Sequence, residues 1–355
     1  MISALALLGY AVGAALCVPV LLSPLTRRGA SVRVGLAAWL TAMASVLLSA
    51  AAAILFSFRT VTADWPQLTQ ALCRSVAGGA CTPAVYRSAL YEGGVTALAV
   101  ATTLLAALAL WRYGRRVQRS SAQTRSHARA ALLVGHAITD TGAHTGAHTA
   151  GTAAAPAPGA TGSAASSAVA AGTTGRTRAV MLDDPRPAAY CVAGRPAAIV
   201  VTSGALAVLD QPQLRAVLAH ENAHLAHRHH TLATITRGLA AAFPGVPLFT
   251  RGSAEVARLT EMSADDTAVR TSGRHALVTA LIAIATGTAF SSAGVADTPV
   301  PRRAMAAASC AVPDRVERLL RPSSPARSTA FTGTLTLILT LLAAAPAALT
   351  LLLTR

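Results

Sequence analysis

The 355-residue chain is 53% hydrophobic with a mean hydropathy of +0.50, which excludes an ordinary water-soluble globular domain. Its formal net charge of +16 comes from 30 basic residues, every one an arginine, against 14 acidic ones. Many of these arginines flank long uncharged runs, so the charge reads as membrane topology and contact with anionic lipid, and direct nucleic-acid binding is not expected.

Four uncharged runs are long enough to cross a bilayer. Met1–Thr26 and Val34–Phe58 come first, followed by the 19-residue Gly93–Trp111 and finally Ser328–Thr354, with Pro346 as an expected kink. The chain therefore divides as residues 1–112, holding three transmembrane helices (about 1–25, 34–58 and 93–111) with an outer loop at 59–92; a juxtamembrane helix at 113–140; a low-complexity flexible insertion at 141–175; a folded domain at 176–327; and a fourth transmembrane helix at 328–355. Arginine placement sets the orientation. Arg27, Arg28 and Arg33 lie between the first two runs, Arg112, Arg115, Arg116 and Arg119 follow the third, and Arg321 and Arg327 precede the fourth. The positive-inside rule puts all three clusters in the cytoplasm. The expectation is a multi-pass plasma-membrane protein with both termini outside and the long 112–327 segment inside.

Cys73 and Cys81 bracket Arg-Ser-Val-Ala-Gly-Gly-Ala in the expected outer loop, where a small disulfide can form. Ser120–Thr139 reads as a basic, partly amphipathic helix lying on the membrane surface. The insertion after it is Ala, Gly, Thr, Ser and Pro with a short Gly-Ala-His-Thr repeat, and cannot bury a core.

Beyond Arg176 the pattern changes. Ala179–Leu182, Ala188–Val192 and Ala198–Thr202 read as short strands, and Ser203–Leu209 as a short helix. Asp210-Gln211-Pro212-Gln213 has the form of a helix start, with Asp210 as N-cap, Pro212 in the first turn and Gln213 closing a capping box. The expected helix runs from about Gln211 to Ala242, with a break near His229. It carries His220-Glu221-Asn222-Ala223-His224. On a helix His220 and His224 share a face and can offer two imidazole nitrogens to one ion, while Glu221, beside the first ligand, is placed to act as a base on water. This is the zinc-hydrolase arrangement, so Zn2+ is the expected cofactor. A further helix contains Glu261 and Asp265, again one turn apart. Glu261 can supply a carboxylate ligand, and Asp265 can accept a hydrogen bond from a ligating histidine and orient it. His275–Ala289 is an apolar helix, and Pro313–Leu320 a short one leading into the last span.

Ala-Val-Leu-Ala-His-Glu-Asn-Ala-His, followed by Glu-Met-Ser-Ala-Asp, resembles the gluzincin peptidases of the M48 and M56 groups. The resemblance spans about Val180 to Arg270 and takes in Ala189–Gly194 and Ala198–Gly204, where those families have a strand bordering the substrate cleft. Asn222 departs from the apolar residue common there. The resemblance implies an α-helical membrane protein with four transmembrane helices and a cytoplasmic α+β gluzincin-like zinc peptidase domain. In that reading His220, His224 and Glu261 bind the metal, Glu221 is catalytic and Asp265 supports a ligand.

The order of spans is similar to the BlaR1/MecR1-type M56 peptidases. This implies site-specific cleavage in the cytoplasm of a BlaI-like transcriptional repressor or of the enzyme itself. The chain stops at Arg355, so no penicillin-binding sensor domain is expected. An M48-like protease that degrades damaged membrane proteins is the alternative. A non-catalytic membrane sensor or scaffold with a structural zinc site is a third reading, against which an intact Glu221 argues. Arg270 or His275 stand at positions from which an oxyanion donor could come, and neither is assigned.

Overall fold

A computed structural model describes residues 2–27, 29–76, 111–119, 136–137, 178–194, 197–291, 312–321 and 325–354, with isolated positions between 97 and 109. The chain divides into two compact units: Met1–Ala122, Arg228–Asp265 and Pro313–Arg355 form one, and Gln123–His227 with Asp266–Val312 the other.

The first unit is helical. α1 (Ile2–Arg27) and α2 (Val32–Val76) are joined by a tight turn in which Gly29 has φ 102, a conformation that a Cβ disfavours. The last helix, α10 (Pro325–Thr354), packs on both. Their contact is lined by Ala11, Ala14, Ala15 and Val18 of α1 and Ala38, Trp39 and Ala42 of α2. Small side chains let helix backbones approach closely, which is how apolar helices associate where water supplies no driving force. Outward lie Leu5, Leu16, Val20, Leu48, Leu55, Leu337 and Leu351, all exposed. Ala4–Arg27, Val32–Arg59 and Ser328–Leu352 are each long and apolar enough to cross a membrane. Pro346 lies inside α10, and Thr350 Oγ1 donates to its carbonyl at 2.7 Å.

Also in this unit are α3 (111–119), α6 (His229–Ala242), α9 (Val312–Leu320) and α7 (Pro247–Ser272) as far as Asp265. α7 is fastened to the apolar bundle. Gly252 sits where a Cβ would strike Met43 Cε and come within 3.0 Å of Trp39. Glu255, 3% exposed, accepts from Arg27 Nη2 at 2.6 Å and from Arg258 Nε at 3.0 Å. Arg258 also reaches the Thr26 carbonyl at 3.3 Å.

The second unit is built on a four-stranded sheet, ordered β1 (His136–Ala137), β2 (Arg178–Leu182), β4 (Ala198–Thr202), β3 (Ala189–Val192). β2 and β4 run parallel with Val180 opposite Val200, while β3 pairs antiparallel to β4 with Tyr190 opposite Val200. All five residues of β4 are buried, as the unbroken Ala-Ile-Val-Val-Thr run requires of a central strand. Thr202 ends it and caps α4 (Ser203–Val208). Its Oγ1 accepts from Ala205 N–H at 3.1 Å and Ala188 N–H at 2.9 Å, and its single proton faces the carbonyls of Arg186 and Ala188. Gly204 must be glycine because a Cβ there would collide with the Pro185 carbonyl. α5 (Gln211–Ala226) packs on β3, β4 and α8 (Arg274–Ser291).

Several expectations change. The helix expected from about Gln211 to Ala242 with a break near His229 is two helices: α5 ends at Ala226, and Arg228, in the left-handed region at φ 53, separates it from α6. His136–Ala137, placed by sequence in a juxtamembrane helix, is instead a strand antiparallel to β2, with His136 opposite Met181. The backbone of α2 stays helical to Val76, through much of the stretch expected to be an outer loop from residue 59. The expected span at 93–111 lies only partly within the described residues; those described in it are helical, with Val100, Leu104, Leu105 and Leu108 exposed and Ala109 buried. Cys81, and with it the expected Cys73–Cys81 disulfide, lies outside the described residues, as does the insertion at 141–175.

Candidate metal centre

α5 is fixed from its first turn. Asp210 accepts from Gln213 N–H at 2.8 Å and Gln213 Oε1 accepts from Asp210 N–H at 3.0 Å, the reciprocal pair expected from the sequence. Leu214, Ala216, Val217 and Ala223 are buried along the helix. This packing sets the rotation of α5 and so the direction of its remaining side chains.

His220 is buried and His224 half-buried, and their Nε2 atoms are 3.1 Å apart. The rings meet edge to face, with centroids 4.8 Å apart and planes at 67°. Two nitrogens bound to one tetrahedral zinc at about 2.05 Å stand about 3.3 Å apart. The imidazoles therefore already converge as two ligands of a single ion would require. Glu221, half-buried, follows His220 directly.

On α7, Glu261 and Asp265 lie one turn apart, as the sequence spacing requires. Their partner is Arg315 from α9, which the sequence analysis did not single out. Arg315 Nε donates to Asp265 Oδ2 at 2.9 Å and Nη2 to Oδ1 at 2.6 Å. Its Nη1 lies 3.3 Å from Glu261 Oε2. Asp265 is fully buried and Arg315 is 6% exposed, so the pair is a desolvated two-point fork. Glu261 is only half-buried and touches the same guanidinium through one oxygen. One signal for Arg315 was present in the sequence: it shares the apolar stripe of α9 with Val312, Val316 and Leu319, a position that an arginine occupies when it has a buried partner.

Among the described residues, His220, His224 and Glu261 supply a donor set able to hold a metal ion. Two neutral imidazoles and a carboxylate are the ligand chemistry that zinc accepts in hydrolytic sites. Arg270 and His275 are both exposed, and Arg270 hydrogen-bonds Thr267 of its own helix at 3.0 Å.

Some other groups near the sheet and at the start of α6 are shifted. The Arg186 side chain holds the Asp184 carboxyl below its ordinary range, against the opposing effect of burial. Burial, and then the Asp184 charge, push the Tyr190 phenol upward. Burial, and then Arg228, lower His230.

Residues 161–246 match the model of Peptidase family M48. That segment contains His220, Glu221 and His224 and ends before Glu261. The chain is similar to proteins named Protease HtpX homolog: 35% identical over 74 residues to those of Burkholderia thailandensis and Ralstonia pickettii, and 40% identical over 67 residues to that of Acidiphilium cryptum. The first two alignments cover 20% of this chain and 26% of the relative, and the third 18% and 23%. The chain thus spans about a quarter of the length of the curated relatives it matches. No solved structure matches it significantly. Peptidases of family M48 are zinc metalloproteases, in keeping with the donor set, and the likeness to these HtpX homologues covers no more than 20% of this chain.

Proposed function

We propose that this chain is an integral-membrane, zinc-dependent endopeptidase of the His-Glu-x-x-His…Glu type. The observation that carries the reading is the convergence of His220 and His224 Nε2 on one face of α5, with Glu221 beside them. His220, His224 and Glu261 would hold the ion. Zinc, when bound there, supplies Lewis-acid polarisation of a peptide carbonyl and an acidified water. Glu221 takes the proton of the attacking water and returns it to the leaving amine. Arg315 holds Asp265 by two points and Glu261 by one, keeping the ligand carboxylate from wandering. Asp265, so fixed, is placed in this reading to orient a ligating histidine.

The further assignments are part of the proposal. Four spans, both termini outside, a cytoplasmic peptidase segment and a plasma-membrane location follow from the arginine clusters. Two substrate classes compete. The M48 match supports a protease of broad specificity acting on damaged membrane proteins. The order of apolar spans around the zinc-binding segment supports an M56-like, BlaR1-type regulatory peptidase that cleaves a BlaI-like repressor or itself. Substrate breadth separates them: unrelated unfolded proteins are cut in the first case, and one site in one protein in the second.

The test compares the purified full chain with Glu221→Gln in detergent, assaying zinc content with cleavage of casein, of the chain itself and of a co-expressed repressor. Zinc in both and cleavage only in the wild type is the expected result. Zinc in both with no cleavage of any substrate, and unfolding on chelation, would instead identify a structural site.

A further inference from the structure

A second cluster of side chains lies outside the metal centre. Trp111 stands in α3 at the end of the apolar 93–111 run and is 56% exposed. The Arg115 guanidinium stacks over that indole, 4.7 Å from the ring centroid. Two residues beyond Trp111, Tyr113 packs on α6: a Cβ at Gly238 would come within 2.6 Å of Tyr113 Cε2 and 2.8 Å of Cδ2. This close crossing sets the register of the two helices. Arg116 lies one turn past Tyr113 and Arg237 directly precedes Gly238, so the two arginines flank this crossing.

Both arginines are exposed. Crowding by protein, and then the positive charge of Arg116, lower Arg237 from its ordinary value. Among the described residues neither is in an ion pair, and nor are Arg112, Arg115 or Arg119. The carboxylates of this unit that are ion-paired, Glu255, Glu261, Asp265 and Glu317, are matched to Arg27, Arg258, Arg315 and Arg321. Two adjacent cations without a carboxylate present a dense set of N–H donors, and a phosphate oxyanion accepts from such a set bidentately. An exposed tryptophan at the end of an apolar run marks headgroup depth, where the phosphates available are those of lipids.

We propose that Arg116 and Arg237 form a binding site for the phosphate of an anionic phospholipid headgroup, with Trp111 and Arg115 beside it at the boundary of the acyl chains. The site ties α6, which follows the histidine-bearing helix in sequence, to the lipid surface by a contact distinct from general attraction between cations and the bilayer.

The experiment is native mass spectrometry of the full chain in detergent micelles titrated with phosphatidylglycerol. Arg116→Gln and Arg237→Gln should each weaken retention of that lipid about fivefold, and the pair roughly 25-fold. Arg112→Gln with Arg119→Gln, which removes the same charge from the same helix, should retain the wild-type affinity. An equal loss in that control would mean diffuse electrostatics and overturn the site. Inorganic phosphate alone binding as tightly as phosphatidylglycerol would overturn the lipid assignment. Because the paired variant is open to misfolding, Arg237→Lys serves as the second test. It keeps the charge but loses the planar fork, so a weakened affinity supports the site, and an unchanged one shows a point charge and overturns it.

Discussion

Arg315 donates to both oxygens of Asp265, at 2.6 and 2.9 Å, across 50 residues of sequence, with the carboxylate fully buried and the arginine nearly so. The same guanidinium touches Glu261, so one side chain of α9 fixes two carboxylates one turn apart on α7. Removing one partner of a buried ion pair leaves an uncompensated charge, which costs far more than the pair contributes net.

Arg315→Met should therefore destabilise the protein by about 3–5 kcal/mol, read as a lowered unfolding midpoint in detergent. Arg315→Lys keeps the charge but offers no fork. It should retain the fold while lowering zinc occupancy of the purified chain. Zinc content equal to the wild type in Arg315→Lys would separate Arg315 from the metal site.

At Glu255 burial decides which partner matters. Glu255 has a side-chain exposure of 4%, against 67% for Arg27. Glu255→Ala strips two arginines of a desolvated acceptor and should cost about 3 kcal/mol. Arg27→Ala removes a solvent-screened cation and leaves Arg258 in place, so it should cost under about 1 kcal/mol. Equal shifts in thermal midpoint for the two variants would contradict this ordering.

Thr202→Val keeps shape and branching but deletes the hydroxyl. The N–H groups of Ala188 and Ala205 then lose their side-chain acceptor at a buried position. A loss of roughly 2–4 kcal/mol is expected. Thr202→Ser keeps the hydroxyl and should lose under about 1.5 kcal/mol. Chemical denaturation of the three proteins in one detergent distinguishes the cases.

Asp184 sets an acid dependence. Its folded-state pKa is depressed, chiefly by the Arg186 side chain, which donates to it at 2.8 and 3.1 Å. A depressed carboxyl contributes stability that is complete above its unfolded pKa, about 3.9, and is lost as pH falls through the folded value. The stability difference between the wild type and Asp184→Asn should be constant near neutral pH and shrink below about pH 4. A difference that stays constant into strong acid would count against the pairing.

The sequence by itself determined every feature that depends on neighbours within a turn or two. The Asp210–Gln213 capping box, the three short strands, read to within a residue at each end, and the pairing of His220 with His224 on one helical face are local, set by propensity and periodicity. Tertiary structure decided what lies far away along the chain. No local pattern names Arg315 as the partner of Asp265, because a buried charge chooses whichever opposite charge the fold brings to it. No propensity makes a strand of the two residues His136 and Ala137; the open edge of β2 does that by offering its unpaired N–H and C=O groups. The end of α5 is intermediate: a break near His229 was legible, but the left-handed turn fell on Arg228, a residue with no intrinsic preference for it. That conformation carries roughly 1–2 kcal/mol of local strain.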